Sequence, residues 1–231
     1  MLHRSSLTVL VAAVFTACCS VSLRANLIAN GSFEAPAISA GSFADYASGS
    51  TAISGWTVVG ATGGVSIVSG TLTQGCCAFP AEDGSQYLDL TGDGINNVEG
   101  VEQTFATTAG TNYTLLFWVG NVDNSSGGFG TNSTVNVNLG GLNGTLLDSV
   151  TNSMTNSTTQ TWQMFTTSFT ATASTTTIDF LNGDPAGDNT NGLDNVSINA
   201  TSAAPEPGTL SFFALAAAVA VARRLRRKRM S

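Results

Sequence analysis

The sequence predicts an all-β protein built as one antiparallel β-sandwich, with short segments of different character at its two ends. Three observations carry this expectation. Short runs rich in Thr, Val, Ile, Tyr, Phe and Trp recur through the middle of the chain. Gly, Asn, Asp and Ser punctuate them. No apolar spacing of helical period intervenes, so the pattern is strand after strand rather than strand and helix.

Ten strands are expected. Trp56 to Val59 and Val65 to Val68 are short β-branched runs set off by glycines, followed by Gln86 to Leu90 and Val101 to Phe105. Tyr113 to Val119 has apolar groups on both faces, which places it centrally in its sheet. Thr134 to Leu139 alternates, with Val135, Val137 and Leu139 on one face. Thr145 to Val150, Trp162 to Phe169, Thr175 to Leu181 and Leu193 to Ile198 complete the set. The stretches 121–132 and 183–191 are so rich in Gly, Asn, Ser and Asp that exposed loops are expected there. The segment between the ends is long enough for one core and short for two.

The ends differ from this middle. Arg4 and the apolar run Leu7 to Ala17 read as a signal peptide over 1–25, with cleavage after Leu23-Arg24-Ala25. The run is too short for a spanning helix, which needs about 20 apolar residues. Lipidation at Cys18 is the weaker alternative, because Phe15 stands where a lipoprotein signal favours Leu. At the other end, over 204–231, Pro205-Glu206-Pro207 precedes the apolar run Thr209 to Ala222 and a basic cluster from Arg223 to Arg229. As a helix that run spans about 21 Å, less than the roughly 30 Å of a bilayer core. The basic cluster should stay cytoplasmic while everything before it is translocated. This motif, short apolar helix and basic stop resemble the PEP-CTERM sorting tail, and an ordinary tail anchor is the alternative. The resemblance implies a transient stay at the inner membrane, recognition by the membrane protease-transpeptidase exosortase, and release to the cell surface or medium.

Charge excludes much chemistry. The chain holds 8 Lys and Arg, 15 Asp and Glu and one His, for a net charge of −7. Every cationic residue lies before residue 26 or after residue 204, and His3 is the only histidine. The segment 26–204 therefore cannot bind nucleic acid through phosphates, and it lacks the imidazole of Ser-His-Asp and Cys-His catalysis. What survives is carboxylate-pair hydrolysis or chemistry on oxygen-bound cations, calcium above all. The plain alternative is an acidic, solubilising surface. Glu99 and Glu102 are a poor acid/base pair, since three residues apart on a strand they face opposite sides. Beyond the signal peptide only Cys76 and Cys77 remain, adjacent to each other. A vicinal bridge, an intermolecular bridge and free thiols all stay open. The sequons at Asn124, Asn132, Asn143 and Asn156 read as polar surface.

Several motifs in order resemble galactose-binding-like jelly rolls, the superfamily of many carbohydrate-binding modules. Asn26-Leu27-Ile28-Ala29-Asn30-Gly31-Ser32-Phe33-Glu34 is similar to their opening strand and Gly55-Trp56 to the next. Asp83 to Leu90, Val101 to Phe105 and Tyr113 to Trp118 are similar to middle strands, and Gly192 to Ile198 to the closing one. The resemblance implies a jelly roll over 26–203 and a structural calcium held by Glu34, Asp194 and Asp83, with Glu82 as an alternative third ligand. Solvated carboxylates at strand ends are the plain alternative. Asp184, Asp188 and Asp194 form a second acidic group whose spacing does not fit an EF-hand loop. Among aromatics, Trp56 and Trp118 are expected in the core. Phe129, in a glycine-rich loop, and Trp162 are the candidate ligand contacts. The expected protein is an exported, non-catalytic surface or biofilm-matrix module whose partner is extracellular polysaccharide. The alternatives are a structural matrix protein without sugar binding and a carboxylate-dependent glycoside hydrolase.

Overall fold

The computed structural model describes residues 26–60, 63–92, 98–124, 128–185 and 187–201. The signal peptide, the apolar tail helix and Pro205, Glu206 and Pro207 lie outside them. Among the described residues thirteen antiparallel strands form the fold. They are β1 (Phe43–Ala47), β2 (Thr57–Gly60), β3 (Gly64–Ser69), β4 (Thr73–Gln74), β5 (Cys77–Ala78), β6 (Gln86–Asp89) and β7 (Glu99–Ala106). The chain continues through β8 (Asn112–Asn121), β9 (Ser133–Leu139), β10 (Thr145–Asn152), β11 (Thr161–Thr170), β12 (Thr175–Asn182) and β13 (Gly192–Ala200). All ten expected strands are present. No helix among the described residues is long and apolar enough to cross a membrane.

One sheet has the order β1-β3-β6-β13-β8-β11 and the other β10-β9-β12-β7-β2, while β4 and β5 form a separate hairpin. From β6 to β9 the chain changes sheet at every strand, and again from β10 to β13, which is the winding of a jelly-roll sandwich. Period-two alternation explains the core between the sheets. On β8, Leu115, Phe117 and Val119 are fully buried, as are Ile178 and Phe180 on β12. Trp56 sits among them, stacked on Phe33 at 5.3 Å and edge-on to Phe180 at 6.1 Å. Its Nε1 donates to the Asn30 carbonyl at 3.0 Å, which satisfies the one polar atom it buries.

The structure corrects four expectations. Residues 26–34 form turns rather than an opening strand, because Asn30 and Phe33 adopt positive φ of 52° and 53°. The segment still reaches the closing strand, through Leu27 N–H to the Ile198 carbonyl and Val196 N–H to the Gly31 carbonyl, each at 2.9 Å. Trp118 is not core. It lies half-buried on the outer face of β8, opposite Met164 and Asp194. The segments 121–132 and 183–191 do connect strands, but they bury Asn121, Asp188, Thr190 and Asn191 as anchors. Finally β1, β4 and β5 were not expected: β1 is a short edge strand, and the other two hold two residues each. Of the three cysteine alternatives, the vicinal one holds. Cys76 and Cys77 are disulfide-bonded, with Cα atoms 3.7 Å apart.

Truncating Trp56 to Ala removes the largest core side chain and its hydrogen bond. A loss of about 3–5 kcal/mol is expected, read as a lower midpoint in urea unfolding with an unchanged slope.

Candidate functional site

The outer face of the six-stranded sheet is assembled from register. Asp45 on β1, Ser66 on β3, Asp89 on β6, Gly192 on β13, Gly120 on β8 and Trp162 on β11 form one row across it. The two glycines are required there. A Cβ at Gly192 or Gly120 would lie 2.9 Å from the Trp162 ring, which lies across both strands. Phe43, Val68 and Tyr87 form the neighbouring row. On this face Val68, Cys77, Phe79, Tyr87 and Val122 make a second hydrophobic cluster, outside the main core. The β4–β5 hairpin reaches it through Cys77, so the disulfide sits at the foot of a packed wall.

A cleft of about 400 Å³ opens beside this cluster. Phe43, Leu72, Phe79 and Phe129 give it apolar sides, and Ser66, Asp89, Asn189 and Thr190 give it polar ones. Phe129 packs edge-on against Phe79 at 5.2 Å. Its loop is tied to the opposite one: Thr190 Oγ1 donates to the Phe129 carbonyl and Asn189 Nδ2 to the Gly128 carbonyl, both at 2.7 Å. Asp188 locks the same junction, its carboxyl occupying the place a Cβ on Gly130 would take. Asp89 accepts from the amide and hydroxyl of Thr91 and from the Asn191 amide, at 2.8 to 3.1 Å. Ser66 Oγ donates to Asp45. Phe43, 44% exposed, leaves its ring open to solvent at the cleft's edge. Rings beside carboxylate, hydroxyl and amide groups suit a neutral, hydroxyl-rich ligand.

A family model described as protein of unknown function (DUF642) matches residues 26–199, most of the chain. The chain belongs to the DUF642 family. A PEP-CTERM protein-sorting motif matches residues 203–228, which marks the protein for export, exosortase processing and sorting to the surface or medium. No curated protein matches the chain. Among solved structures, a cyclase from Fischerella sp. TAU in complex with 4-(1H-indol-3-yl)butan-2-one is 18% identical. The alignment covers 77% of this chain and 98% of that one, with a TM-score of 0.52. TmCBM61 in complex with beta-1,4-galactotriose is 15% identical, over 77% and 99% of the two chains, with a TM-score of 0.45. The CBM22 tandem domain from Paenibacillus barcinonensis Xyn10C is 19% identical over 75% and 50%, with a TM-score of 0.42. The DUF642 domain shares a jelly-roll fold with the cyclase, and such a fold hosts enzymes and binding modules alike.

The DUF642 domain brings Glu34, Asp83 and Asp194 to one side of the sandwich, but each is engaged by hydrogen-bond donors. Glu34 Oε1 accepts from the amides of Ser85 and Gln86 at 2.7 and 2.9 Å. Asp194 Oδ2 accepts from Glu82 and Asp83 at 3.0 Å each, and its Oδ1 from Asn195 at 2.7 Å. Asp83 accepts from Ser32 at 2.7 Å, and Glu82 from Asn195 Nδ2 at 2.8 Å. Among the described residues, no three His, Cys, Asp or Glu side chains stand together as a metal group. These donors engage Glu34 Oε1, both oxygens of Asp194 and Asp83 Oδ2, and a calcium ion held by the three remains the expectation drawn from the sequence. Asp184 and Asp188 gather with Asp89 rather than with Asp194. Trp162 is held by an edge-on contact to Tyr87 at 5.3 Å and by Nε1 donating to the Pro80 carbonyl at 2.8 Å, which makes it a support of the cluster. Phe129 does line the cleft. Phe43 and Asp89 were missed. Phe43 lies on a strand too short to show a period, and Asp89 sits where an outward residue of a strand is ordinarily solvated.

Burial pushes Asp184 up to about 8 against the Thr134 amide, and Asp188 and Asp89 add to the rise. Burial pushes Asp194 to about 8 and Asp188 to about 6 against their backbone donors. The folded state thus holds protons that the unfolded chain releases near the ordinary carboxylate range. Their stabilisation is complete below about pH 4 and is lost as pH rises towards about 8. In chelator-containing buffer the melting temperature should be higher at about pH 5 than at about pH 8, and Asp184→Asn should flatten the difference. A melting temperature that climbs with pH across this window would contradict the assignment.

Proposed function

We propose that this protein is a non-catalytic carbohydrate-binding module of the cell surface or biofilm matrix, with neutral extracellular polysaccharide as its ligand. The cleft on the six-stranded sheet carries the proposal. Phe43 and Phe129 offer apolar ring surface for the C–H faces of a sugar, and Asp89, Ser66, Asn189 and Thr190 offer hydrogen-bond partners for its hydroxyls. With no Lys, Arg or His between residues 26 and 204, the cleft has nothing to pair with a uronate or sulfate, so anionic glycans are disfavoured. Export through the sorting motif brings the cleft to where such polymers are found.

The placement of the carboxylates supports non-catalytic action. Glycosidic hydrolysis uses two carboxyls about 5–5.5 Å apart, or about 6.5–9.5 Å apart in inverting enzymes, one as acid and one as nucleophile or base. Glu99 and Glu102 alternate along β7 onto opposite faces. Asp89, within the cleft, is buried, and its Oδ1 is held by three hydrogen bonds. Release after sorting would leave the sandwich in the matrix or on the surface, its stay at the inner membrane limited to the tail.

Isothermal calorimetry of the purified protein against neutral and acidic exopolysaccharide fractions from the host tests this. Saturable heat with the neutral fraction is expected, weakened about tenfold or more by Phe129→Ala, and by Phe43→Ala at unchanged melting temperature. No heat with folded protein would favour a structural matrix role, and release of reducing ends would restore the hydrolase.

A further inference from the structure

The other sheet carries a feature that the sugar cleft does not use. Asn138 on β9, Asp179 on β12, Glu102 on β7 and Thr57 on β2 are successive register partners across four strands. Directly opposed residues share a face, their Cβ atoms about 4.5–5.5 Å apart. Val101, Ile178 and Phe180, the chain neighbours of the two acids, are fully buried in the core, so this row faces the opposite way. It is a line of oxygen-bearing side chains with two carboxyls at its centre.

Asp179 is fully buried although it points away from the core. The turn after β9 covers it, and Gly141 N–H donates to its Oδ2 at 3.0 Å. Its Oδ1 is buried and accepts from no donor. Asp179 stands in the row with Glu102 on one side and Asn138 on the other. A buried carboxylate oxygen without a donor is costly, and two neighbouring carboxylates repel. At Glu34, Asp194 and Asp89, by contrast, amides and hydroxyls meet the carboxylate oxygens. Here no Lys, Arg or His of residues 26–204 can do so, and the pair is offset by a proton held between Asp179 and Glu102 or by a cation from solution.

We propose that Glu102, Asp179 and Asn138 form a calcium-binding site on the outer face of the five-stranded sheet. The two carboxylates and the Asn138 amide oxygen supply hard ligands, the Thr57 hydroxyl closes the row, and water completes a shell of about 6–8 oxygens. Softer transition metals lack ligands here, because the row has no His or Cys. The site lies on the opposite sheet from the sugar cleft, so it goes beyond the proposed function and either can fail without the other.

Calcium chloride titrated calorimetrically into chelator-treated, purified protein at mildly alkaline pH tests the site. One ion per chain is expected, with a Kd in the roughly 0.1–1 mM range of extracellular calcium modules. Calcium should also raise the melting temperature. Glu102→Gln and Asp179→Asn should each weaken binding about tenfold or more, whereas Asp184→Asn should leave it unchanged. If Asp179→Asn does not fold, Glu102→Gln, a change at a partly exposed position, decides. Absence of saturable heat with folded protein, or undiminished binding in Glu102→Gln, would overturn the proposal.

Discussion

The constraint on which the rest of this structure depends is the absence of any cationic side chain between residues 26 and 204, against fourteen acids. A carboxylate in this sandwich cannot form a salt bridge. It has to find backbone N–H groups, hydroxyls, a proton or an ion from outside. Glu34 and Asp194 take the first route, each capping loop amides far away in sequence. Asp83 and Asp45 take the second, through Ser32 and Ser66. In these cases the acid crosslinks the fold: Asp194 on the closing strand holds the 82–83 loop in place much as an N-cap holds the first turn of a helix.

The two outer faces of the sandwich then diverge. On the six-stranded sheet, added layers convert a sheet surface into a walled cleft: the β4–β5 hairpin with its bonded cysteines, and the paired loops carrying Phe129 and Thr190. Tyr87 and Trp162 support those walls from below. Among the described residues the five-stranded sheet has no comparable aromatic layer, and the turn at Gly140 and Gly141 covers its central acid row. One face is built from rings and the other from oxygen ligands, which suits them to different partners.

The strands were legible because the alternation of Val135, Val137 and Leu139, or of Leu115, Phe117 and Val119, is enforced by a core on one side only. Three kinds of feature were not. Residues 26–34 look extended in composition, yet their conformation turns on the positive φ of Asn30 and Phe33, which tertiary contacts impose. Trp118 is as apolar as any core residue, but its parity on β8 with buried Phe117 and Val119 points it outward. The site residues were the least legible. Phe129 could be proposed from its glycine-rich loop, whereas Phe43, Asp89 and the pair Glu102–Asp179 meet only through cross-strand register between segments distant in sequence.

β13 runs from Gly192, beside the cleft, to Ala200, five residues before Pro205 of the sorting motif. At about 3.3 Å per residue, that single strand separates the cleft from the tail by roughly 25–30 Å. A sandwich held by its tail is therefore grasped at the end of the sheet remote from the cleft. Tethering through the Ala200 end of β13 would leave the Gly192 end, and the cleft beside it, turned away from the point of hold.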